Sequence, residues 1–482
     1  MYREICFTTV FAILFSFGTL DAVEDAATGA QEPTSFASRI LALTDVVLEQ
    51  HIDPPARQQM ILSGIKSLYL ANDRQVPPHL GKRISEMTLH SQFAEYLEDI
   101  RNEFKDRKNV EQVLIHGMLR AVPGDSFLID SKANEVNEQV INNRYVGTGI
   151  QLATNREEGL TQITKVFYNG PAWHAGVESM DLILEIDGES TASRGLAEVV
   201  EALRGESGSD VEVVVRQPDS KDSRRLTMTR GRVFIPSIEG FREKSDGRWQ
   251  YRVDSAKNVA FLRVKSIGPS TLHEFRQIAA KLSREDVGGI IIDLREGGGI
   301  LHDIVMVADS LMDGGTIGHV QSLERTIKHT ARSGDLVDGL PIVLLVGKKT
   351  SAGNVFLAAA LQDNGRAIVV GQSTIGETYV SKFVSVPGMD VQLKLATAIM
   401  LRGDKTPILP SRVKQLPNSE SSINRKPHRP GFIIPDHVVQ FAPNAKTGPK
   451  ESVDPVLKKA IEVLTADTTK VSISQQGADH GE

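Results

Sequence analysis

From Phe36 to about Asp130, apolar residues recur every three or four positions. One set is Ile40, Leu43, Val47 and Leu48; the next is Met60, Ile61, Ile65 and Leu68. Phe93, Tyr96, Leu97 and Ile100 repeat the spacing, as do Val113, Leu114, Met118 and Leu119. This period predicts amphipathic helices, and Pro54-Pro55 and Pro77-Pro78 cut them into separate pieces. Further on, Leu196–Leu203 reads as a helix and Val211–Arg216 as a strand. From Val259 the pattern changes again, to unbroken apolar runs alternating with helical stretches. Strands are predicted over Val259–Val264, Gly289–Leu294, Pro341–Val346, Ala367–Val370 and Val391–Ala396. Helices are predicted over Thr271–Leu282, Leu301–Leu311 and Asn354–Gln362. Buried strands alternating with helices imply a largely parallel sheet covered on both faces. The fold class expected is multidomain α/β: a helical N-terminal region, a mainly β middle domain and an α/β core.

Length agrees with this division, because 482 residues at roughly 150 per domain make about three domains. Charged residues are 24% and the net charge is −6, which points away from a nucleic-acid binder. The chain opens with Arg3, an apolar run from Ile5 to Phe17, and small residues near Gly18 and Ala22. That is the pattern of a signal peptide over residues 1–22, and the run is too short to span a bilayer comfortably. Export to a periplasm or the outside, with cleavage, is expected, and no second long apolar run implies a membrane segment in the mature chain. Cys6 is the only cysteine and lies inside the signal, leaving no thiol for a disulfide or a nucleophile. Residues 23–35 read as a disordered leader, 404–429 as an exposed Pro-, Ser- and Lys/Arg-rich insertion, and 466–482 as a disordered tail.

Chemistry concentrates in one stretch, Gly347-Lys-Lys-Thr-Ser-Ala-Gly-Asn354, which follows the strand ending at Val346. A strand, a tight turn of small residues and a helix aim one side chain and several free N–H groups into a cleft. Asn354 is available as the helix cap, and Asn364-Gly365 turns the chain into the next strand.

This stretch resembles the carboxyl-terminal processing (tail-specific) serine peptidases, a Ser–Lys family. Ala360-Leu-Gln-Asp-Asn-Gly-Arg-Ala367 matches the family's helix end without gaps, and Thr374-Ile-Gly376 matches its next motif up to the lysine. Counting from these anchors puts the family's nucleophilic serine at Ala352 and its general-base lysine at Glu377. The glutamine that orients the lysine falls at Ser381. A hydroxyl attacks a carbonyl only if a base takes its proton, and a lysine is such a base only when burial keeps it neutral. Ala352 has no nucleophilic atom, and Glu377 replaces an amine with a carboxylate. Ser351 is the candidate displaced nucleophile, although neighbours at a helix start point about 100° apart. Thr350 and Ser373 are weaker candidates, and the plain role for Ser351 is a helix cap.

The resemblance extends over most of residues 110–465. Ile115-His-Gly-Met-Leu-Arg120 and Asp125-Ser-Phe-Leu128 resemble the family's approach to its PDZ domain. Gly147-Thr-Gly-Ile150, Gly170-Pro-Ala-Trp-His-Ala-Gly-Val177 and Asp181-Leu-Ile-Leu-Glu-Ile-Asp-Gly188 resemble that PDZ domain. It implies that Gly147, Thr148, Gly149 and Ile150 receive a terminal carboxylate in a nest of N–H groups, the peptide adding as a strand. Asp293-Leu-Arg-Glu-Gly-Gly-Gly299 resembles the loop that supplies half of the family's oxyanion hole, one residue shorter and without its proline. By position the oxyanion donors are Gly298 or Gly299, together with Gly353. Gly431-Phe-Ile-Ile-Pro-Asp436 and the helix after Asp454 match the family's closing motifs, and the core is similar to the ClpP/crotonase fold. The boundaries expected are 36–144 helical, 145–232 PDZ and 233–465 peptidase-like core.

His90, His116, Trp173 and His174 read as packed or solvated side chains. The sequence carries no metal motif and calls for no cofactor. Three functions are open on this reading. The first is an exported adaptor or holdase that binds protein C-terminal tails and unfolded chains, its peptidase activity lost or impaired. The second is a serine-type endopeptidase using Ser351 with Glu377 or Lys349. The third is an assembly protein whose helical region forms a homo-oligomer.

Overall fold

A computed structural model describes residues 35–130, 145–244, 247–253, 258–285, 287–374, 379–408, 432–440 and 454–476, with side chains to 466. The expected signal peptide, residues 23–34 of the leader, Glu377 and residues 409–429 of the expected insertion lie outside these residues. The chain forms two compact units: one holds residues 145–236 and 243–248, the other holds the N-terminal helices, 237–242 and everything from 249 onward.

In the larger unit, helices α1 (Phe36–Gln50), α2 (Arg57–Ala71), α3 (Leu80–Ser85), α4 (His90–Glu103) and α5 (Val110–Leu119) follow the sequence period. Ser35 caps α1 by accepting from the Ser38 N–H at 3.1 Å. The apolar stripes meet in one core containing Ile40, Ile61, Leu97, Phe93, Phe104 and Leu114. The stretch expected to stay helical to Asp130 instead ends in strand β1 (Phe127–Asp130). A strand partner further along the chain overrides the local pattern there.

The smaller unit comprises β2 (Val146–Gly147), β3 (Ile150–Thr154), β4 (Thr161–Val166), α6 (Pro171–His174), β5 (Leu182–Ile186), β6 (Glu189–Ser190), α7 (Leu196–Leu203), β7 (Asp210–Arg216), β8 (Ser223–Thr229) and β9 (Gly231–Arg232). Its antiparallel sheet runs β3-β4-β5-β7-β8, with β6 added to β5. Alternate residues Val211, Val213 and Val215 enter a core with Ile183, Val199 and Leu203, as the two-residue strand period requires. Trp173, for which packing was expected, is 38% exposed and stacks edge-on against Tyr168.

The larger unit resumes with β10 (Ile238–Glu239), β11 (Val259–Val264), α8 (Thr271–Leu282), β12 (Gly289–Asp293) and α9 (Leu301–Ser310). After these come β13 (Thr316–Ser322), β14 (Thr326–Thr330), β15 (Ile342–Val346), α10 (Ala352–Asp363) and β16 (Ala367–Gly371). The last elements are β17 (Tyr379–Ser385), β18 (Val391–Leu401), β19 (His437–Val438) and α11 (Pro455–Gln476). One sheet has the order β10-β11-β12-β15-β16-β19, parallel from β11 to β19. Ala260, Ile290, Ile292 and Leu344 face α8, α9 and α10, while Phe261, Ile291, Val343 and Leu345 face α11. The second sheet is antiparallel and centred on β18, which pairs with β1, β13 and β17. Its residues Leu393 and Leu395 enter the core of the N-terminal helices, so those helices share their core with a strand near the other end of the chain.

Two expected boundaries move. The closing helix continues to Gln476, past the expected start of a disordered tail at 466. The helix expected from Asn354 begins at Ala352. That helix is apolar all round, which requires burial on every side. It lies against the parallel sheet and also against β13, where a Cβ on Gly318 would stand 2.5 Å from the Phe356 ring.

Candidate functional site

At the end of β15, the turn Gly347–Thr350 is closed twice. The Thr350 N–H donates to the Gly347 carbonyl at 3.0 Å, and the Gly347 N–H donates to Thr350 Oγ1 at 2.9 Å. Thr350 is buried and committed to the turn. Ser351 follows as the N-cap residue of α10, with φ −78° and ψ 167°, and its carbonyl accepts from Val355 N–H at 2.8 Å. A serine there ordinarily caps the helix through its hydroxyl. This one does not: Ser351 Oγ is buried and, among the described residues, has no hydrogen-bond partner. It lies under the glycine loop, where a Cβ on Gly298 would stand 2.9 Å from it. Ala352 is the first helical residue, half-buried, and its methyl packs at the edge of the core.

The glycine loop is held from below by charge. Arg295 donates to both oxygens of Asp293 at 2.8 and 2.7 Å and to Asp454 at 2.7 Å. Burial by itself would push the Asp293 carboxyl up, but the Arg295 hydrogen bonds and charge, with Arg263 behind, hold it below the usual carboxylate range. Asp454 also caps α11 through the Val456 and Leu457 N–H groups, so one guanidinium ties the loop to the closing helix. Above this, the Gly298 carbonyl accepts from Ile267 N–H at 2.7 Å. Asn354, expected as a cap, is instead fully buried in the first turn of α10. Its Nδ2 donates to the Glu296 carbonyl at 2.9 Å and the Leu294 carbonyl at 3.4 Å. It fastens the helix start to the loop because the cap position is already taken by Ser351.

Gly299 is exposed and Gly353 buried, and the Gly299 nitrogen would be 3.6 Å from a Cβ on Gly353. Among the described residues, no acceptor engages the N–H groups of Gly298, Gly299 or Gly353. Free donors beside a helix N-terminus suit a partial negative charge or a polarised carbonyl. No described base reaches a described hydroxyl here. Lys349 is exposed, Ser373 half-buried, and Ser381 sits in β17 opposite Ala396.

The second constellation is in the smaller unit. Gly147 ends β2 opposite Gly231, Gly149 has φ +78°, and Ile150 begins β3. The Thr148 carbonyl accepts from Ala172 N–H at 2.8 Å and the Gly149 carbonyl from Phe167 N–H at 2.9 Å. Among the described residues, the Thr148 and Gly149 N–H groups have no acceptor. The loop thus turns its carbonyls inward and leaves donors for an anion. Beside it, β3 pairs only with β4 among the described residues, and α7 packs along β3. Arg230, unremarked in the sequence, is buried and caps α7: its Nε donates to Leu203 O at 3.0 Å and its Nη1 to Asp210 O at 2.8 Å. An arginine directly before the Gly231–Arg232 strand was the available signal. Asn354, Arg295 and Asp454 were visible only as motif letters, because their partners are remote in sequence.

Among the described residues, no group of side chains could hold a metal ion, and no helix is long and apolar enough to cross a membrane. Compared with known proteins, residues 258–415 match the model of peptidase family S41, and residues 162–217 match a PDZ domain model. A carboxyl-terminal-processing protease of Picosynechococcus is 26% identical over 330 residues, which is 68% of this chain and 72% of that protein. A carboxy-terminal-processing protease of Bartonella bacilliformis is 24% identical over 321 residues, 64% of this chain and 70% of that protein. The solved photosystem II D1 C-terminal processing protease aligns over 90% of this chain and 98% of its own, at 21% identity and a TM-score of 0.42.

Proposed function

From a chain that joins a peptidase family S41 domain to a PDZ domain, we infer an exported protein that binds the C-terminal tails of other proteins and has lost or impaired peptidase chemistry. The observation that carries this reading is the opening of α10 on Ala352, with the neighbouring hydroxyl buried under Gly298 and without a partner among the described residues. In a serine-centred catalytic unit, removing the nucleophile costs on the order of a millionfold in rate, and removing its base adds little more. The donors of Gly299 and Gly353 remain, as does the tail-binding loop, so binding outlives bond-breaking. Export rests on the basic, apolar and small-residue succession of residues 1–22.

A second reading keeps Ser351 as the nucleophile, favoured by its nearness to Gly298. An unfolded substrate protein, incubated with the chain and followed by mass spectrometry, separates the two. Under the binding reading no new fragments form, and they arise only in the double variant Ala352→Ser with Glu377→Lys. Fragments made by the unaltered chain and abolished by Ser351→Ala would establish the second reading instead. If the double variant is folded and stays inert, the scaffold itself has lost competence.

A further inference from the structure

The antiparallel sheet of the larger unit ends on a strand with an open edge. Among the described residues, β14 (Thr326–Thr330) pairs only with β13. The Ser322 N–H donates to the Arg325 carbonyl at 2.9 Å, and the Ala331 N–H donates to the Gly315 carbonyl at 2.9 Å. Arg325 and Ala331 thus direct backbone groups toward β13. The extra residue in this pairing, Ile317, lies on β13, so the alternation along β14 is unbroken. Backbone groups of a strand alternate between its two edges, and Thr326, Lys328 and Thr330 therefore turn theirs outward. Their N–H and C=O groups form an unfilled ladder, a template for another extended chain.

The side chains along this edge select its occupant. Ile327 stands opposite Val320 and shares its face. Val320 is buried in the core, whereas Ile327 is 41% exposed at the margin of the same row. A chain added beside β14 extends that row with an apolar residue of its own. On the other face Thr326, Lys328 and Thr330 are exposed. Arg325 and Lys328 are exposed and, among the described residues, make no ion pair. Arg332 follows, exposed, with Asp309 3.6 Å away. Glu324 in the turn is the only acid of residues 323–332. A second copy pairing edge to edge would bring these cations against their like, which disfavours it. An acidic chain brings the opposite charge. We propose that β14 receives an extended acidic segment of another protein as an added strand, its acidic side chains on the Lys328 face and its apolar ones on the Ile327 face. This edge is in a different unit from the carboxylate loop, so the inference does not rest on tail binding.

Fluorescence anisotropy with the full chain tests this. The probe is a labelled ten-residue peptide of alternating glutamate and valine, acetylated and amidated so that it offers no terminal carboxylate. It should bind, and the matching lysine–valine peptide should not. Lys328→Glu should weaken binding about fivefold or more, the scale of one exposed ion pair turned into a repulsion. Lys328→Pro should abolish binding, because it removes an outward N–H at a position where an edge strand tolerates proline. An unchanged melting temperature shows that the fold is kept; should Lys328→Pro lower it, Lys328→Glu decides alone. Hydrogen exchange at Thr326, Lys328 and Thr330 should slow when the peptide is added. No binding, equal binding of the two peptides, or binding that ignores both substitutions would overturn the inference. Self-association of the unaltered chain that Lys328→Pro abolishes would assign the edge to a second copy and overturn it as well.

Discussion

A single methyl group and a single turned hydroxyl stand side by side where α10 opens. Ser351 occupies the half-in position of the helix, where its backbone is extended and its side chain drops below Gly298. Ala352 holds the next direction around the axis, about 100° away. Asn354 supplies what the short glycine loop needs, a donor pair for two buried carbonyls. Replacing Asn354 with Ala should cost about 2 kcal/mol in chemical denaturation, because the Leu294 and Glu296 carbonyls lose their donor. Asn354→Asp should cost at least as much, since a carboxylate brings acceptors where donors are required. Ser351→Ala should leave stability nearly unchanged, because its hydroxyl makes no hydrogen bond among the described residues.

Whole elements are fixed at their ends rather than along their length. The Gln-Asp-Asn-Gly-Arg segment closing α10 is a set of anchors. Gln362 donates to Ile434 O and reaches Asp436, and Asp363 pairs with the buried Arg402. Asn364 donates to Thr316 O, while Arg366 binds Asp335 and Leu340 O. Asp436 in turn accepts from Val369 N–H. The gapless match to the family in this segment therefore describes architecture, because each of these side chains holds a neighbouring element in place. Arg230 does the same for α7. Arg230→Met should destabilise the smaller unit by about 2 kcal/mol, since the buried Leu203 carbonyl loses its donor and the Asp210 carbonyl loses a charged one. Hydrogen exchange should show the loss first in α7.

For the larger unit as a whole, His51 joins the helices to the antiparallel sheet. It is fully buried at the end of α1: Nδ1 accepts from Asp53 N–H at 2.9 Å, so Nε2 carries the proton it shares with the Pro123 carbonyl at 3.0 Å. The adjacent Ile52 N–H donates to Ala396 in β18. Burial pushes the imidazole below its ordinary 6.5, outweighing the favourable hydrogen bonds. The folded chain thus keeps His51 neutral where the unfolded chain already binds a proton. Its contribution is complete above pH 6.5 and is lost as pH falls from there toward the lower folded value. The melting temperature should drop across that window, and His51→Gln should flatten the drop while lowering stability at neutral pH. Asp293 acts with the same sign at more acidic pH, its contribution being present above the ordinary carboxylate range and lost below it.

Periodicity alone determined the helices of the N-terminal region, the alternation of strands and helices in the core, and the boundaries of Thr271–Leu282, Val259–Val264 and Leu196–Leu203. Those features depend on neighbours three or four positions away, or on strands buried whatever their partners. Tertiary structure decided the rest. Phe127–Asp130 became a strand because β18 offered it a ladder, and Asn354 became a tether because Ser351 held the cap position. The orientation of the Ser351 hydroxyl, the partners of Arg295 and Arg230, and the open edge of β3 all depend on residues far apart in the chain. No local pattern encodes contacts of that separation, so only the folded arrangement could show which side chains face one another.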